Sequence, residues 1–393
     1  MKRYNTSIKK LMEAQKEYDL ISKEKAIFIS DWNAELERIT YPSIGIGKNL
    51  NDKNTIGNYY YWTDELNYKS HFQQCYQELF QTELSSENFL IGSNGSSSTM
   101  LSLMALKELG VNKILAFTPI YFSAIRLFEL LDYQMYRFDL DIRNDFRINI
   151  ELLEMEIVRN NIEAVFITDP IFSSGIEISE SIYDQINNLS RKYNIWIVID
   201  YIYGGMNWES SNFIISNKIP HITNTFSNYI VIESIAKRLF VNGIKTSIVF
   251  STSQIIKKIS RLSIYTVGSM CCLQLNMLKN IYYVENAHII NGLIEKNVHQ
   301  ASRRFNRILS LTKGKNCIIS SCNCSYFFLM GIPYQYQIDD IGYAVNILKQ
   351  IGVLTVPHSR YLMTNNQYYI FRVNLLINEQ DLFLGLTKLL DLI

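Results

Sequence analysis

The chain has 393 residues, with 38 lysines and arginines against 37 acidic residues and a formal net charge of +1, so it lacks the basic surplus of a polyanion-binding protein. A hydrophobic share of 48 % fits a packed globular protein, and the length allows one large α/β domain with a smaller companion. No apolar run approaches the roughly 18 residues needed to cross a bilayer, and the charged opening "MKRYNTSIKKLMEAQKEYDL" lacks a signal peptide's apolar core; a cytoplasmic protein without membrane or nucleic-acid partners is expected.

In chain order, residues 1 to about 60 read as an amphipathic helix followed by an irregular segment, "SDWNAELERITYPSIGIGKN". A helical pattern then runs from about 64 to 84. Beyond it, short apolar runs precede helical patterns: "FLIG" before "SSTMLSLMALKELG", "KILAF" before "YFSAIRLFELLD", "AVFITDP" before "ISESIYDQINNLSRKY", and then "IWIVIDYIYG". Such alternation predicts an α/β fold with a mostly parallel sheet sandwiched by helices. A long helix near 275–312, then strands in "SYFFLMG" and "YYIFRVNLLI", predict a smaller α+β domain. The expected division is an N-terminal arm with part of the small domain (1–60), a large domain (61–285) and a C-terminal small domain (286–393).

The six cysteines do not form a disulfide framework. "CIISSCNCS" reads as a half-buried strand rather than a metal site, because no histidine lies close, and Cys271 and Cys272 read as core fillers on a helix. No metal is expected.

Ligands of doubly wound sheets sit at the carboxyl ends of strands, and the unusual residues fall there. "GSNGSSST" (92–99) joins a strand to a helix start, where small residues let free N–H groups approach an anion; a plain serine cap remains the alternative. Asp200 ends the apolar strand of "IWIVIDYIYGG", with Tyr203 three residues on. A buried carboxylate needs a cation or donors, and a protonated ring nitrogen would serve, as would a helix cap. "ESIAKRLFVNGIKTS" (233–247) carries Lys237 and Lys245. A partly buried lysine suits Schiff-base chemistry, although an isolated lysine is usually surface charge. Arg372 is a lone cation inside "IFRVNLLI", suited to a carboxylate or to a structural salt bridge.

Together these motifs resemble the fold-type-I pyridoxal-phosphate enzymes, in particular the class I/II aminotransferase family, from about residue 59 to the end. The resemblance implies pyridoxal 5'-phosphate as cofactor, with its phosphate cradled by Gly95, Ser96 and Ser97. "TPIYFSA" places Tyr121 as the ring stacked on the cofactor. Asp200 would hold the pyridine nitrogen protonated and Tyr203 would bond the 3'-oxygen. Lys237 would carry the Schiff base, Ser234 and Lys245 would bind phosphate, and Arg372 would take the substrate α-carboxylate. The family's homodimer is implied as well, with one of Tyr59, Tyr60 or Tyr61 as the candidate to reach a neighbouring subunit.

The departures bear on the reaction. Where the family carries N-P-x-N-P-T-G, this chain reads "DPIFSSG" (169–175), so Phe172 replaces an asparagine that bonds the 3'-oxygen. Lys245 stands in place of an arginine and Ser247 in place of a glycine. An aminotransferase acting on an L-amino acid and a keto acid is the expected function. The alternatives are a pyridoxal-phosphate-dependent cyclase, eliminase or oxidase of specialised metabolism, or a non-catalytic binding protein. His358 and Arg360, in the turn before the Arg372 strand, read as solvated.

Overall fold

The computed structural model describes residues 2–33, 62–80, 83–209, 218–243, 245–268, 270–334, 339–363 and 367–393. After the N-terminal helix Lys2–Ile21 comes a short strand, β1 (Ile27–Phe28), paired in parallel with Val353–Leu354 near the other end of the chain. The helix Trp62–Phe80 leads into the main α/β unit. Its strands are β2 (Phe89–Gly92), β3 (Lys113–Thr118), β4 (Gln134–Asp139), β5 (Ala164–Thr168), β6 (Trp196–Tyr201), β7 (Tyr229–Glu233) and β8 (Ser247–Ser251). They form one sheet in the order β2-β8-β7-β6-β5-β3-β4. Pairings from β4 across to β7 are parallel, while β8 runs antiparallel to both β7 and β2.

Both faces of this sheet are covered, which is why its strands read as apolar runs rather than alternating patterns. Phe166, Val198, Ile230 and Ile232 point to one face, against Leu103, Ile125 and Ile255 of the helices Gly95–Glu108, Phe122–Leu130 and Ser253–Thr266. Their neighbours Val165, Ile167, Ile197 and Val231 point to the other, against Leu153 and Tyr183 of the helices Ile150–Asn160 and Glu180–Tyr193. The period-two alternation of side chains divides one apolar run between two cores.

The single long helix predicted near 275–312 is two helices, Cys272–Ile281 and Ala287–Thr312. The side chain of Asn286 donates to the Asn280 carbonyl at 2.7 Å, satisfying an end carbonyl of the first helix and closing it. Cys271 and Cys272 are not core fillers: Cys271 is the exposed N-cap of the first of these helices and Cys272 is half-buried. A second sheet contains β9 (Ile318–Ile319), β10 (Phe327–Pro333) and, beyond β11 (Val353–Leu354), β12 (Tyr368–Asn374). β10 lies between β9 and β12, with both pairings antiparallel and Arg372 opposite Leu329.

The strand expected across "CIISSCNCS" shrinks to β9. Cys322 and Cys324 sit in irregular chain after it, buried beneath the loop that follows β5. There the amides of Asn323 and Cys324 donate to the Gly175 carbonyl at 2.9 and 3.0 Å, and this competing pairing displaces the ladder. Gly175 has φ +70°, and a Cβ on it would collide with the Cys322 Sγ and the Phe327 carbonyl oxygen. A Gly175→Ala variant is therefore expected to lose about 2–4 kcal/mol of stability, read as a lower midpoint in urea unfolding; an unchanged midpoint would contradict this packing. Among the described residues no group of three His, Cys, Asp or Glu could hold a metal, and no helix is long and apolar enough to cross a membrane.

Candidate active site

Strand directions bring the chemistry to one edge. β2, β3, β5, β6 and β7 run the same way, so the chain leaves all of them at a single edge, where β8 begins. A cavity of about 550 Å³ opens there. Gly95 and Ser96 reach it from the start of the helix after β2, Tyr121 from after β3, and Thr168 and Phe172 from the end of β5 and its loop. Asp200 comes from β6 and Tyr203 from the turn after it, while Ser234, Lys237, Lys245 and Thr246 come from the segment joining β7 to β8.

Lys237 lies on a one-turn helix, Ile235–Arg238, directly after β7. Its Nζ is 2.8 Å from Asn242 Oδ1 and 5.4 Å from the centre of the Tyr203 ring. Burial, reinforced by the positive charges of Lys245 and Arg372 and opposed by Asp200, lowers its pKa to about 8. Asp200 is paired in register with Thr168 and is 8 % exposed. Burial pushes its carboxyl up to about 6, against the Ile202 amide at 3.3 Å and the charge of Lys237. Exclusion of water thus loosens the lysine's hold on its proton and strengthens the acid's. Tyr203 packs edge-on against Tyr326 and Phe327, and burial raises its phenol well above the ordinary value.

Two polar atoms on the wall have no partner among the described residues: the buried hydroxyls of Thr168 and Thr246. Buried hydroxyls are rarely left unpaired, so these are donors suited to a ligand. The helix Gly95–Glu108 opens at the cavity with Asn94 as its N-cap, whose Oδ1 accepts from the Ser97 amide at 2.9 Å. The Gly95 and Ser96 amides have no partner within the helix and, with Lys245 exposed beside them, form an anion-binding corner.

Arg372 lies behind the opposite wall, 1 % exposed. Its Nη2 donates to the Ser30 carbonyl at 2.6 Å, while Nε and Nη1 have no partner among the described residues. The guanidinium carbon stands 3.3 Å from the ring centre of Trp32, which separates it from the cavity, and 4.5 Å from that of Phe327.

The family model for aminotransferase class I and II matches residues 47–337. The chain belongs to the aminotransferase class I and II family. An aspartate aminotransferase of Pyrococcus horikoshii is 23 % identical over 197 residues, a match spanning 50 % of this chain and 49 % of that relative. Among solved structures, aspartate aminotransferase from Thermotoga maritima superposes with a TM-score of 0.80 at 16 % identity, covering 100 % of this chain and 99 % of that one. An Escherichia coli protein described as having a methionine aminotransferase function gives 0.80 at 14 % identity, covering 100 % and 97 %. A double mutant of Thermus thermophilus aspartate aminotransferase gives 0.83 at 13 % identity, with the same coverage. The fold is the aspartate-aminotransferase-like one, a mostly parallel central sheet with flanking helices.

Within this family site, nine of the residues singled out in the sequence line the cavity: Gly95, Ser96, Tyr121, Phe172, Asp200, Tyr203, Ser234, Lys237 and Lys245. Ser97 does not. Its amide is spent on the Asn94 cap, and its hydroxyl donates to the Asn94 carbonyl at 2.9 Å beside Ser93 Oγ. Ser234 lines the wall, but its hydroxyl proton goes to the Thr246 carbonyl at 2.6 Å. Tyr59, Tyr60 and Tyr61 lie outside the described residues.

His358 and Arg360 are not solvated turn residues. His358 is fully buried and Arg360 is 7 % exposed, because their turn packs behind Phe172. The His358 ring stacks on Phe172 at 5.9 Å, and the Arg360 guanidinium lies over Phe122. Burial, with Arg372 nearby, lowers the His358 pKa well below the usual value and keeps the ring neutral. Phe172 is therefore a packing residue as well as a wall residue, touching Trp32, Tyr121 and Tyr361. Trp32, Asn94, Thr168, Asn242 and Thr246 line the site without having been singled out. The N-cap pattern of "SNGSSS" was the available signal for Asn94; nothing in "SDWN" marks Trp32.

Proposed function

We propose that the protein is a pyridoxal-phosphate-dependent aminotransferase acting on an L-amino acid and a keto acid. The observation that carries this reading is the joint placement of the partly buried Lys237 amine and the buried Asp200 carboxyl on one cavity, with their pKa values moved toward each other. Perturbed pairs of this kind collect at acid–base sites.

The residues present fit the cofactor. The unpartnered Thr168 and Thr246 hydroxyls, the open Gly95 and Ser96 amides and Lys245 offer what a phosphorylated pyridine ring requires, and Tyr121 supplies an aromatic face. When bound, pyridoxal phosphate supplies the electron sink that acidifies the Cα–H of an amino acid. The remaining work belongs to the chain. Lys237 Nζ would hold the cofactor's aldehyde carbon, and its amine is the group placed to take and return the Cα proton. Asp200, its carboxyl raised to about 6 by burial, would favour a proton on the ring nitrogen. Tyr203 would support the 3'-oxygen, a role to which Phe172 brings no donor. Gly95, Ser96 and Lys245 would position the phosphate, while Ser234, whose hydroxyl proton goes to the Thr246 carbonyl, would have to turn that proton to the phosphate to join them. Arg372, with Nε and Nη1 unpartnered among the described residues, would orient the α-carboxylate once the Trp32 ring that covers it moves aside. Trp32 and Tyr121, in edge-to-face contact on the cavity wall, would help keep water from the reacting atoms.

We further propose a large cofactor-binding domain over 61–285, a small domain over 286–393 joined by part of the arm 1–60, a cytoplasmic setting and a homodimer. The β1–β11 pairing supports the link between arm and small domain, and six free thiols fit a reducing compartment; the dimer rests on family membership.

The decisive experiment mixes cofactor-loaded protein with a panel of L-amino acids and follows the cofactor spectrum. Stoichiometric pyridoxamine phosphate with release of the matching keto acid is expected. Consumption of amino acid without pyridoxamine phosphate would overturn transamination and favour elimination, cyclisation or oxidation. Lys245→Ala should weaken pyridoxal phosphate binding about tenfold by equilibrium dialysis and leave attachment at saturating cofactor intact, because Lys245 is exposed and acts as a point charge.

A further inference from the structure

We propose that Asn242 is a positioning residue for Lys237, its amide clamped between the Trp32 carbonyl and the lysine amine so that Nζ is held against the cavity wall. This rests on the reading of Lys237 as the reactive amine. Asn242 Oδ1 lies 2.8 Å from Lys237 Nζ, and its Nδ2 donates to the Trp32 carbonyl at 3.4 Å. The orientation of the amide is fixed by its partners: a protonated amine can only donate and a backbone carbonyl can only accept.

The backbone is bent to make this contact. After the Lys237 turn, Phe240 sits at φ +56°, a left-handed conformation that a bulky residue avoids. Packing of its ring on Tyr326 at 4.9 Å holds it there. The turn returns the chain to the cavity and sets Asn242 across from Lys237. Asn242 also joins Lys237 to the substrate side. Its partner Trp32 covers Arg372, and the Ser30 carbonyl two residues earlier accepts from the same guanidinium. One short segment, 30–33, therefore touches both the amine's support and the carboxylate anchor. Phe172 brings no amide to this wall, so position 242 supplies the one that meets Nζ.

The groups facing Nζ are Asp200 from β6, Tyr203 after it, Lys245 and Arg372. None of them changes in the test, which reads Lys237 in the cofactor-free full-length chain. Trace acetic anhydride labels lysines across about pH 6 to 11, and mass spectrometry of the Lys237 peptide reports the titration of its amine. An amide oxygen stabilises the protonated amine, so Asn242→Ala should move the Lys237 profile down by about one pH unit. Asn242→Asp places an anion there and should move it up by at least about as much.

Opposite shifts, with melting temperatures near that of the parent, support positioning. Profiles that coincide with the parent, or that shift in the same direction, overturn it. A variant that unfolds labels all lysines alike, and the other variant then decides. Failure of the parent chain to fix pyridoxal phosphate on Lys237 with borohydride would instead sink the functional reading, an outcome the anhydride titration does not touch.

Discussion

Lys237→Ala is expected to fold, to bind pyridoxal phosphate only reversibly, and to lose transamination by more than about 10³-fold. The argument starts from burial. An amine in water near its ordinary pKa of 10.5 is almost wholly protonated at pH 7 and cannot attack a carbonyl, whereas the site lowers Lys237 to about 8. Desolvation does most of this, and Lys245 and Arg372 add repulsion. Lys245 cannot substitute, because it stands exposed at the rim. The check is borohydride reduction followed by peptide mapping: cofactor label on Lys237 in the parent, none in the variant. Label on Lys245, or residual turnover within tenfold, would refute the assignment.

The same burial makes a prediction for stability. A lysine whose folded pKa is lowered binds fewer protons folded than unfolded, so its contribution is complete above the unfolded value of about 10.5 and falls away as pH drops toward 8. In the absence of cofactor, Lys237→Ala should gain stability relative to the parent at pH 7 and show no such gain near pH 11.

Most of the fold was legible because the strands of this sheet are buried on both faces, so "AVFIT" and "IWIVID" stand out as apolar runs. The break between the helices at 281 and 287 was not, since it depends on one asparagine folding back on a carbonyl. The motif residues at strand ends were legible as positions, and the topology gathers them. Hydrogen-bond allegiance was less visible. "GSSS" shows small residues near an anion corner but not that Ser97 is committed to its own helix cap. His358 and Arg360 follow a proline and look like a surface turn; only tertiary packing against Phe172 and Phe122 buries them. Trp32 was beyond reach for the same reason, since its contact with Arg372 joins opposite ends of the chain.

Asp200→Asn should stabilise the cofactor-free protein while abolishing its chemistry. A carboxyl with a folded pKa of about 6 against 3.8 unfolded keeps its proton longer in the native state. Between those values the unfolded chain has released a proton that the folded chain still holds, so stability declines as pH rises through the window and stays low above it. The penalty above pH 6 is about 3 kcal/mol. An amide of the same shape carries no charge and escapes it. Asp200→Asn should therefore unfold at higher urea than the parent at pH 8, by about 2 kcal/mol once imperfect amide pairing is allowed for, and should match the parent near pH 4. Turnover should fall by at least about 10³-fold, because a neutral amide cannot hold a proton on the ring nitrogen of the bound cofactor. Equal stability at pH 8 would mean that Asp200 is not held in a low-dielectric pocket, and a fully active variant would mean that its charge is not used. The first outcome alone would leave its role in catalysis standing, whereas the second would remove the reason for keeping a destabilising acid at the end of an apolar strand.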